Sequence, residues 1–377
     1  MNSTYNGTLD KQIKSRVIKN INGLDIHFLE SGEKTSNSEL IVLLHGFPEL
    51  SYSWRKLIPI LNINGYHVIA PDQRGFGKTL GGDSTYTSDL KSYNQKNLSD
   101  DIYYLIKKLG YDRVKCIIGH DSGSGIAGIS ALLRPGFYQS LIMMSAPYSG
   151  VLDISNLNKE TYIPNTDVID KDLALLPVPR KHYQSYYRTE EANSHIMNCK
   201  GGLKLFFRGY YHYKSADWGK NKPFELSGWN ASELSKMPSY YIMNKNQNMA
   251  DTVTKNMPTQ NEINKCKWLT NDEIDIYAKE YKRTTFQGGL NWYRASVDYD
   301  NLLKLSVFQN KKIKIPSIFI SGKNDWGIYQ RPGSIKQMQD TNVNFKGIEL
   351  IDNAGHWVQQ EKPKDVSAKL FSFFNQL

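Results

Sequence analysis

Short runs of consecutive apolar residues, each closed by turn-forming residues, punctuate the first third of the chain at 40–44, 68–70, 116–118 and 141–144. Runs that do not alternate between apolar and polar suit strands covered on both faces, as in a parallel sheet. Between the second and third runs, Leu98, Ile102, Leu105, Ile106 and Leu109 recur at helical spacing. That stripe predicts a helix packed on the sheet, in the order strand, helix, strand. After Pro147 the texture changes. Polar, aromatic and basic residues dominate to about residue 303, including the Tyr-rich stretch 183–187 and the loop-like stretch 244–248. Strand signals return at 315–320 and 348–351, before a closing helix that begins at Pro363 and carries Val366, Leu370, Phe373, Phe374 and Leu377. The pattern predicts an α/β fold with a mostly parallel central sheet flanked by helices and split by an inserted cap. Its expected parts are core residues 1–147, cap residues 148–303 and core residues 304–377.

Composition narrows the class. At 377 residues and 40% hydrophobic content the chain can fill a globular interior and is not compositionally disordered. The 47 Lys and Arg exceed the 37 Asp and Glu by +10, yet they are scattered and form no nucleic-acid motif, so a solvated basic surface is expected and no nucleic-acid partner. Cys116, Cys199 and Cys266 are widely spaced and lack a paired metal-ligand pattern. With an amino terminus polar through Arg16, and no apolar run long enough to span a membrane, they point to a reduced, cytoplasmic protein. The sequons at Asn2, Asn6, Asn97 and Asn230 would matter only on secretion.

The pentapeptide Gly119-His120-Asp121-Ser122-Gly123 directly follows the run at 116–118. Small residues flanking a strand-to-helix turn let the middle side chain stand exposed above a sheet, the arrangement of a nucleophile elbow. Ser122 and Ser124 fit that role less well: centring the turn on Ser122 puts bulky His120 in a tight position, and centring it on Ser124 replaces the flanking glycines by Ser122 and Ile126. The pentapeptide alone also suits an N-capping aspartate. An elbow aspartate forms an alkyl ester with an electrophilic carbon, as in opening an epoxide or displacing a halide. Much later come Asp325, in Ser321-Gly322-Lys323-Asn324-Asp325, and His356, in Asn353-Ala354-Gly355-His356-Trp357, each just beyond an expected strand. The order is nucleophile, acid, base.

From about Arg16 to its end the chain resembles an α/β-hydrolase of the epoxide hydrolase family. The matching stretches are His45-Gly46-Phe47-Pro48-Glu49, Asp72-Gln73-Arg74-Gly75-Phe76-Gly77, the elbow, the Asp325 loop and Gly355-His356-Trp357, with His182-Tyr183-Gln184 and Gly288-Gly289-Leu290-Asn291-Trp292-Tyr293-Arg294 in the cap. The resemblance implies an α/β-hydrolase fold with a large, mainly helical cap, and a catalytic set of Asp121, His356, Asp325, Tyr183 and Tyr293. It also implies an oxyanion hole of the Phe47 and Ser122 backbone N–H groups, a cis Pro48, and substrate contacts by Phe47, Trp292 and Trp357. The partners it implies are a small-molecule epoxide and water, with no cofactor and no metal. Two departures stand out. Ser122 occupies a position where the family commonly has tryptophan, and the segment 200–254 is long, so both bear on substrate size. Haloalkane dehalogenase is the alternative activity, weakened because Ser122 lacks an indole N–H for a leaving halide. A receptor-like ligand-binding α/β-hydrolase is the non-enzymatic alternative.

Overall fold

The computed structural model describes Tyr5 and residues 7–154 and 156–377; Asn2 and Asn6 of the sequons lie outside them. Ten strands form: β1 (Lys14–Ile21), β2 (Leu24–Ser31), β3 (Leu40–Leu44), β4 (His67–Pro71), β5 (Cys116–His120), β6 (Leu141–Met144), β7 (Arg180–His182), β8 (Ile242–Asn244), β9 (Ser317–Gly322) and β10 (Phe345–Ile351). Eight of them make one sheet in the order β1-β2-β4-β3-β5-β6-β9-β10. The pairs β1/β2 and β2/β4 are antiparallel, and every pair from β4/β3 onward is parallel. All residues of β3, β4, β5 and β6 are buried, which accounts for their unbroken apolar runs. The helix Gln95–Lys108 buries Leu98, Ile102, Leu105 and Ile106 against this sheet layer.

Between β6 and β9 the chain leaves the sheet. It builds a mainly helical cap with one small antiparallel ladder, β7 with β8. Asn248, Thr259 and Thr270 each open a cap helix with a reciprocal capping box, closed by Asp251, Glu262 and Glu273. Buried polar bonds tie the cap to the core. Arg55 Nε donates to Glu273 at 2.8 Å, Tyr281 Oη to the Glu49 carbonyl at 3.0 Å, and Tyr211 Oη to the Pro48 carbonyl at 3.2 Å. Gly288 lies so close to the loop around Gly75 that an added Cβ would sit 2.1 Å from the Gly75 carbonyl oxygen. The paired glycines at 288 and 289 thus let the helix Gln287–Ala295 press onto the core.

Several elements differ from the sequence expectation. The β1–β2 hairpin is absent from the sequence expectation: β1 carries only Val17, Ile18 and Ile21 among polar residues, and of these only Ile21 is buried, because β1 is an exposed sheet edge that Lys14, Arg16 and Lys19 line. In keeping with the expected mainly helical cap, by contrast, the Tyr-rich stretch forms a short helix, Tyr183–Tyr187. Leu377 does not belong to the closing helix, which ends at Phe374 and leaves Leu377 exposed. Among the described residues, no helix is long and apolar enough to cross a membrane.

Candidate active site

Asp121 stands at the carboxyl end of β5, between the strand and the helix Ser122–Leu133, with φ 52° and ψ −123°. A non-glycine residue at positive φ is strained, and only close packing keeps it there. The glycines around it show why the turn closes. A Cβ on Gly119 would lie 2.1 Å from the Gly123 carbonyl oxygen, one on Gly123 2.4 Å from the His45 carbonyl oxygen, and one on Gly46 2.4 Å from Asp121 Cβ. Ser124 turns away, its hydroxyl donating to the Ala146 carbonyl at 2.6 Å. Ser122 Oγ is buried and makes no hydrogen bond.

The Phe47 N–H donates to Asp121 Oδ1 at 3.0 Å, and the Phe47–Pro48 peptide is cis. Ser122 opens its helix, so its N–H is one of those without an intrahelical acceptor. Asp121 Oδ2 lies 3.4 Å from His356 Nε2. On the far side of that imidazole, Nδ1 is 3.1 and 3.2 Å from the two oxygens of Asp325. Asp325 also accepts from the Gly327 N–H at 2.7 Å and from Ser321 Oγ at 3.2 Å, which fixes its plane. Burial alone would raise the Asp121 pKa, but the adjacent His356 imidazole, then Lys214 and His120, hold it far below the ordinary carboxylate range. Asp325 is likewise buried and is held down chiefly by His356.

Four aromatic rings roof this carboxylate. Tyr293 packs 5.5 Å from Phe47, 5.1 Å from Tyr187 and 6.1 Å from Tyr183, as ring centroids. Burial, reinforced by Asp121, raises both Tyr183 and Tyr293 well above the usual phenol value, so both keep their protons at neutral pH. Tyr183 Oη donates to Gln330 Oε1 at 3.0 Å and accepts from Gln184 Nε2 at 3.1 Å. Tyr293 Oη makes no hydrogen bond to the described residues. The indoles of Trp292 and Trp357 have no N–H to offer a ligand: Trp292 donates to the Arg74 carbonyl at 2.9 Å and Trp357 to the Tyr211 carbonyl at 2.9 Å. Trp357 is fully buried, stacked on Tyr211 behind His356.

A carboxylate on a turn at a strand end, a carboxylate and an imidazole on later loops and a helical cap describe one architecture, and residues 39–363 match the alpha/beta hydrolase fold family. The chain belongs to that family. It is similar to epoxide hydrolase B of Mycobacterium tuberculosis, 28% identical over 371 residues that cover 96% of this chain and 98% of the relative. Among solved structures it resembles epoxide hydrolase A from Mycobacterium thermoresistibile, with TM-score 0.71, 28% identity, and coverage of 96% of this chain and 98% of that one. Potato (Solanum tuberosum) epoxide hydrolase I superimposes with TM-score 0.72 at 24% identity, covering 97% and 100% of the two chains, a likeness of fold.

Three features of this α/β-hydrolase escaped the sequence reading. Beneath the base, His120 Nδ1 lies 2.6 Å from Glu49 Oε2 and Nε2 lies 2.7 Å from the His356 carbonyl oxygen. Both partners only accept, so both ring nitrogens donate and the ring is a cation. Burial alone would lower its pKa, but Glu49 outweighs it and raises the value. Glu361 straps the His356 loop, accepting from the Gly355 and Trp357 N–H groups at 2.9 and 3.0 Å and from Ala216 of the cap at 2.9 Å. The third is Lys214, the last residue of the cap helix Gly202–Lys214 and only 4% exposed. A lysine in a last helical turn reads from sequence as a solvated partner of the helix dipole, which hides its burial.

Proposed function

We propose that this chain is an epoxide hydrolase, opening an epoxide to a vicinal diol through a covalent ester on Asp121. One observation carries the reading: the Asp121 carboxylate has one oxygen on the Phe47 N–H, the other facing His356, and two neutral phenols near enough to feel its charge. In this reading Oδ2 attacks a ring carbon in line with the breaking C–O bond. Tyr183 and Tyr293 donate to the ring oxygen as alkoxide charge develops and protonate it. The product of that step is an alkyl ester with the Asp121 carbonyl oxygen on the Phe47 N–H. His356, oriented by Asp325, then takes a proton from water, which attacks the ester carbonyl. The tetrahedral oxyanion rests on the Phe47 and Ser122 N–H groups; on its collapse the departing alkoxide takes the proton held by His356 to complete the diol, and the acid proton left on Asp121 returns to the phenolate that gave one up in ring opening, restoring the site.

The same proposal assigns residues 1–147 and 304–377 to a catalytic core and 148–303 to a substrate-covering cap, with Phe47 and Trp292 shaping the walls, in a cytoplasmic protein; Trp357, expected as a substrate contact, is instead fully buried and backs His356. Tyr183 must exchange its bond to Gln330 for one to substrate, whereas Tyr293 has a free donor. Halide displacement is disfavoured because neither Ser122 nor Phe47 puts a side-chain N–H near Asp121. The direct test is a panel of small epoxides incubated with purified protein and assayed for diol by mass spectrometry. Diol formation abolished by Asp121→Asn supports the reading; ligand binding with no turnover on any epoxide favours a receptor-like role instead.

A further inference from the structure

Lys214 brings a positive charge to this site that the ring-opening scheme does not use. Its Nζ lies 5.0 Å from the ring centroid of Tyr241, 5.4 Å from Trp357, 5.5 Å from Tyr210 and 5.8 Å from Tyr240. Those rings interact with a cation through their faces but accept none of its three N–H groups in the ordinary sense. Among the described residues, no hydrogen-bond acceptor and no carboxylate pairs with Nζ. Asp121, Asp325 and Glu49 are near enough to stabilise the charge without touching it. On a side chain this buried, an ammonium without a protein acceptor is costly unless water or a ligand fills its donors.

A second orphan lies beside it. Tyr241 Oη is buried with no hydrogen bond, and the Tyr241 ring packs 5.1 Å from Tyr183. Lys214 and Tyr241 therefore border the site on the Tyr183 side, one with unfilled N–H donors and the other with an unfilled O–H donor. Both side chains are more than nine-tenths buried. Their backbone positions are set by other contacts: the Lys214 carbonyl accepts from the His356 N–H, and the Tyr241 carbonyl from the Tyr183 N–H, each at 2.9 Å. The pair thus sits on segments hydrogen-bonded through their backbone to those that carry His356 and Tyr183.

We infer that Lys214 and Tyr241 form a subsite for an anionic, oxygen-bearing group, a carboxylate on the epoxide substrate, with the aromatic cage excluding water around the contact. The carboxylate supplies the acceptors that the ammonium and the phenol lack, and its charge is matched by the Lys214 ammonium. Such a contact is remote from the reacting carbon, so it selects among epoxides by holding one end of the substrate while Asp121 meets the other. This inference rests on the epoxide hydrolase reading for the reacting end of the ligand, but not for the carboxylate end.

The test uses terminal epoxyalkanoates of increasing chain length, each paired with its methyl ester, and the variants Lys214→Met and Lys214→Arg of the full chain. At the best chain length the native protein should favour the acid over the ester in kcat/KM by about tenfold or more. Lys214→Met should collapse that ratio toward one, and Lys214→Arg should retain part of it. A ratio unchanged in Lys214→Met overturns the subsite. So does an equal loss on acid and ester with a displaced pH profile, which would make Lys214 a positioning residue acting through Asp121. Calorimetric binding of the saturated alkanoates, which need no turnover, separates the two proposals. Binding to the native protein but not to Lys214→Met upholds the carboxylate site even if no epoxide is hydrolysed; no difference between them rejects it. Circular dichroism of each variant establishes that it is folded.

Discussion

The backbone N–H of His356 donates to the carbonyl oxygen of Lys214 at 2.9 Å, joining the base loop of the core to the end of a cap helix. The Glu361 carboxylate reinforces the same seam, bridging the amides on either side of His356 to Ala216 in the cap. The imidazole is therefore positioned from three directions: by Asp325 on its ring, by His120 and Ser145 on its carbonyl oxygen, and by the cap on its amide. A cap that moved far from the core would have to break this seam. The geometry of the His356 loop and the seating of the cap are coupled through two backbone segments.

If Asp121 forms the ester and His356 hydrolyses it, their variants fail at different steps. Asp121→Asn should form no adduct and lose activity on the order of 10⁴-fold or more. His356→Gln should accumulate a covalent alkyl-enzyme, seen as a mass increase equal to the epoxide by intact-protein mass spectrometry. Equal, adduct-free inactivity of both would reject this division of labour. Fresh protein is needed because deamidation of the introduced asparagine restores the nucleophile.

The two phenols should matter only while the ring opens. Tyr293→Phe, which removes the hydroxyl with no bond in the resting site, is expected to slow alkylation of Asp121 by about 10²-fold and leave ester hydrolysis nearly unchanged. Tyr183→Phe also strips Gln330 of its donor, and the double variant should come close to abolishing alkylation. Rapid-quench kinetics decides the matter; an unaltered alkylation rate in the double variant would assign both rings to packing.

How far the sequence showed this in advance depended on whether a residue's role is local. The elbow was legible because its glycines answer to contacts within a few residues and to one neighbouring loop, as Gly119 against Gly123 shows. The buried strands were legible because covering both faces removes alternation. β1 was not, since its polar edge resembles a loop. His120 read as a spacer in the elbow, because its partners Glu49 and the His356 carbonyl are distant in sequence. Lys214 lay in a long segment with no motif, and only packing of Tyr210, Tyr240, Tyr241 and Trp357 around it marks it out. Tyr183 and Tyr293 came from family resemblance; twenty-four tyrosines in the chain give no way to choose two by composition.

Glu361 offers a test of positioning apart from chemistry. It touches no part of the proposed reaction, yet three amides donate to it. Glu361→Gln replaces one acceptor oxygen by a donor, leaving at least one buried N–H unmatched, at a cost of about 1–3 kcal/mol. The expected result is a lower denaturation midpoint together with slower hydrolysis of the Asp121 ester, while alkylation is less affected. Loss of stability with both steps unchanged would make Glu361 a structural strap only.

Lys214 should impose a stability penalty whose pH dependence has a definite sign. Burial pulls its pKa below the ordinary lysine value, with Asp121, Asp325 and Glu49 countering in part. Between the lowered folded value and about 10.4 for an unfolded lysine, the unfolded chain binds more protons than the native one. Stability contributed by this group therefore rises with pH across that window, and the penalty is greatest below the lowered folded value. Lys214→Met, which keeps the length and removes the charge, should be more stable than the native chain by about 1–4 kcal/mol near pH 7. That gain should shrink as pH climbs toward the ordinary lysine range. Tyr210, Tyr240 and Tyr241 face the ammonium and titrate in both proteins, so they largely cancel in the difference. Paired urea denaturation curves at several pH values provide the measurement. A gain independent of pH would mean that the methionine packs better and that the charge carries no penalty; a loss at neutral pH would mean that the ammonium is stabilised by its cage, and that the empty donors are not waiting for a ligand.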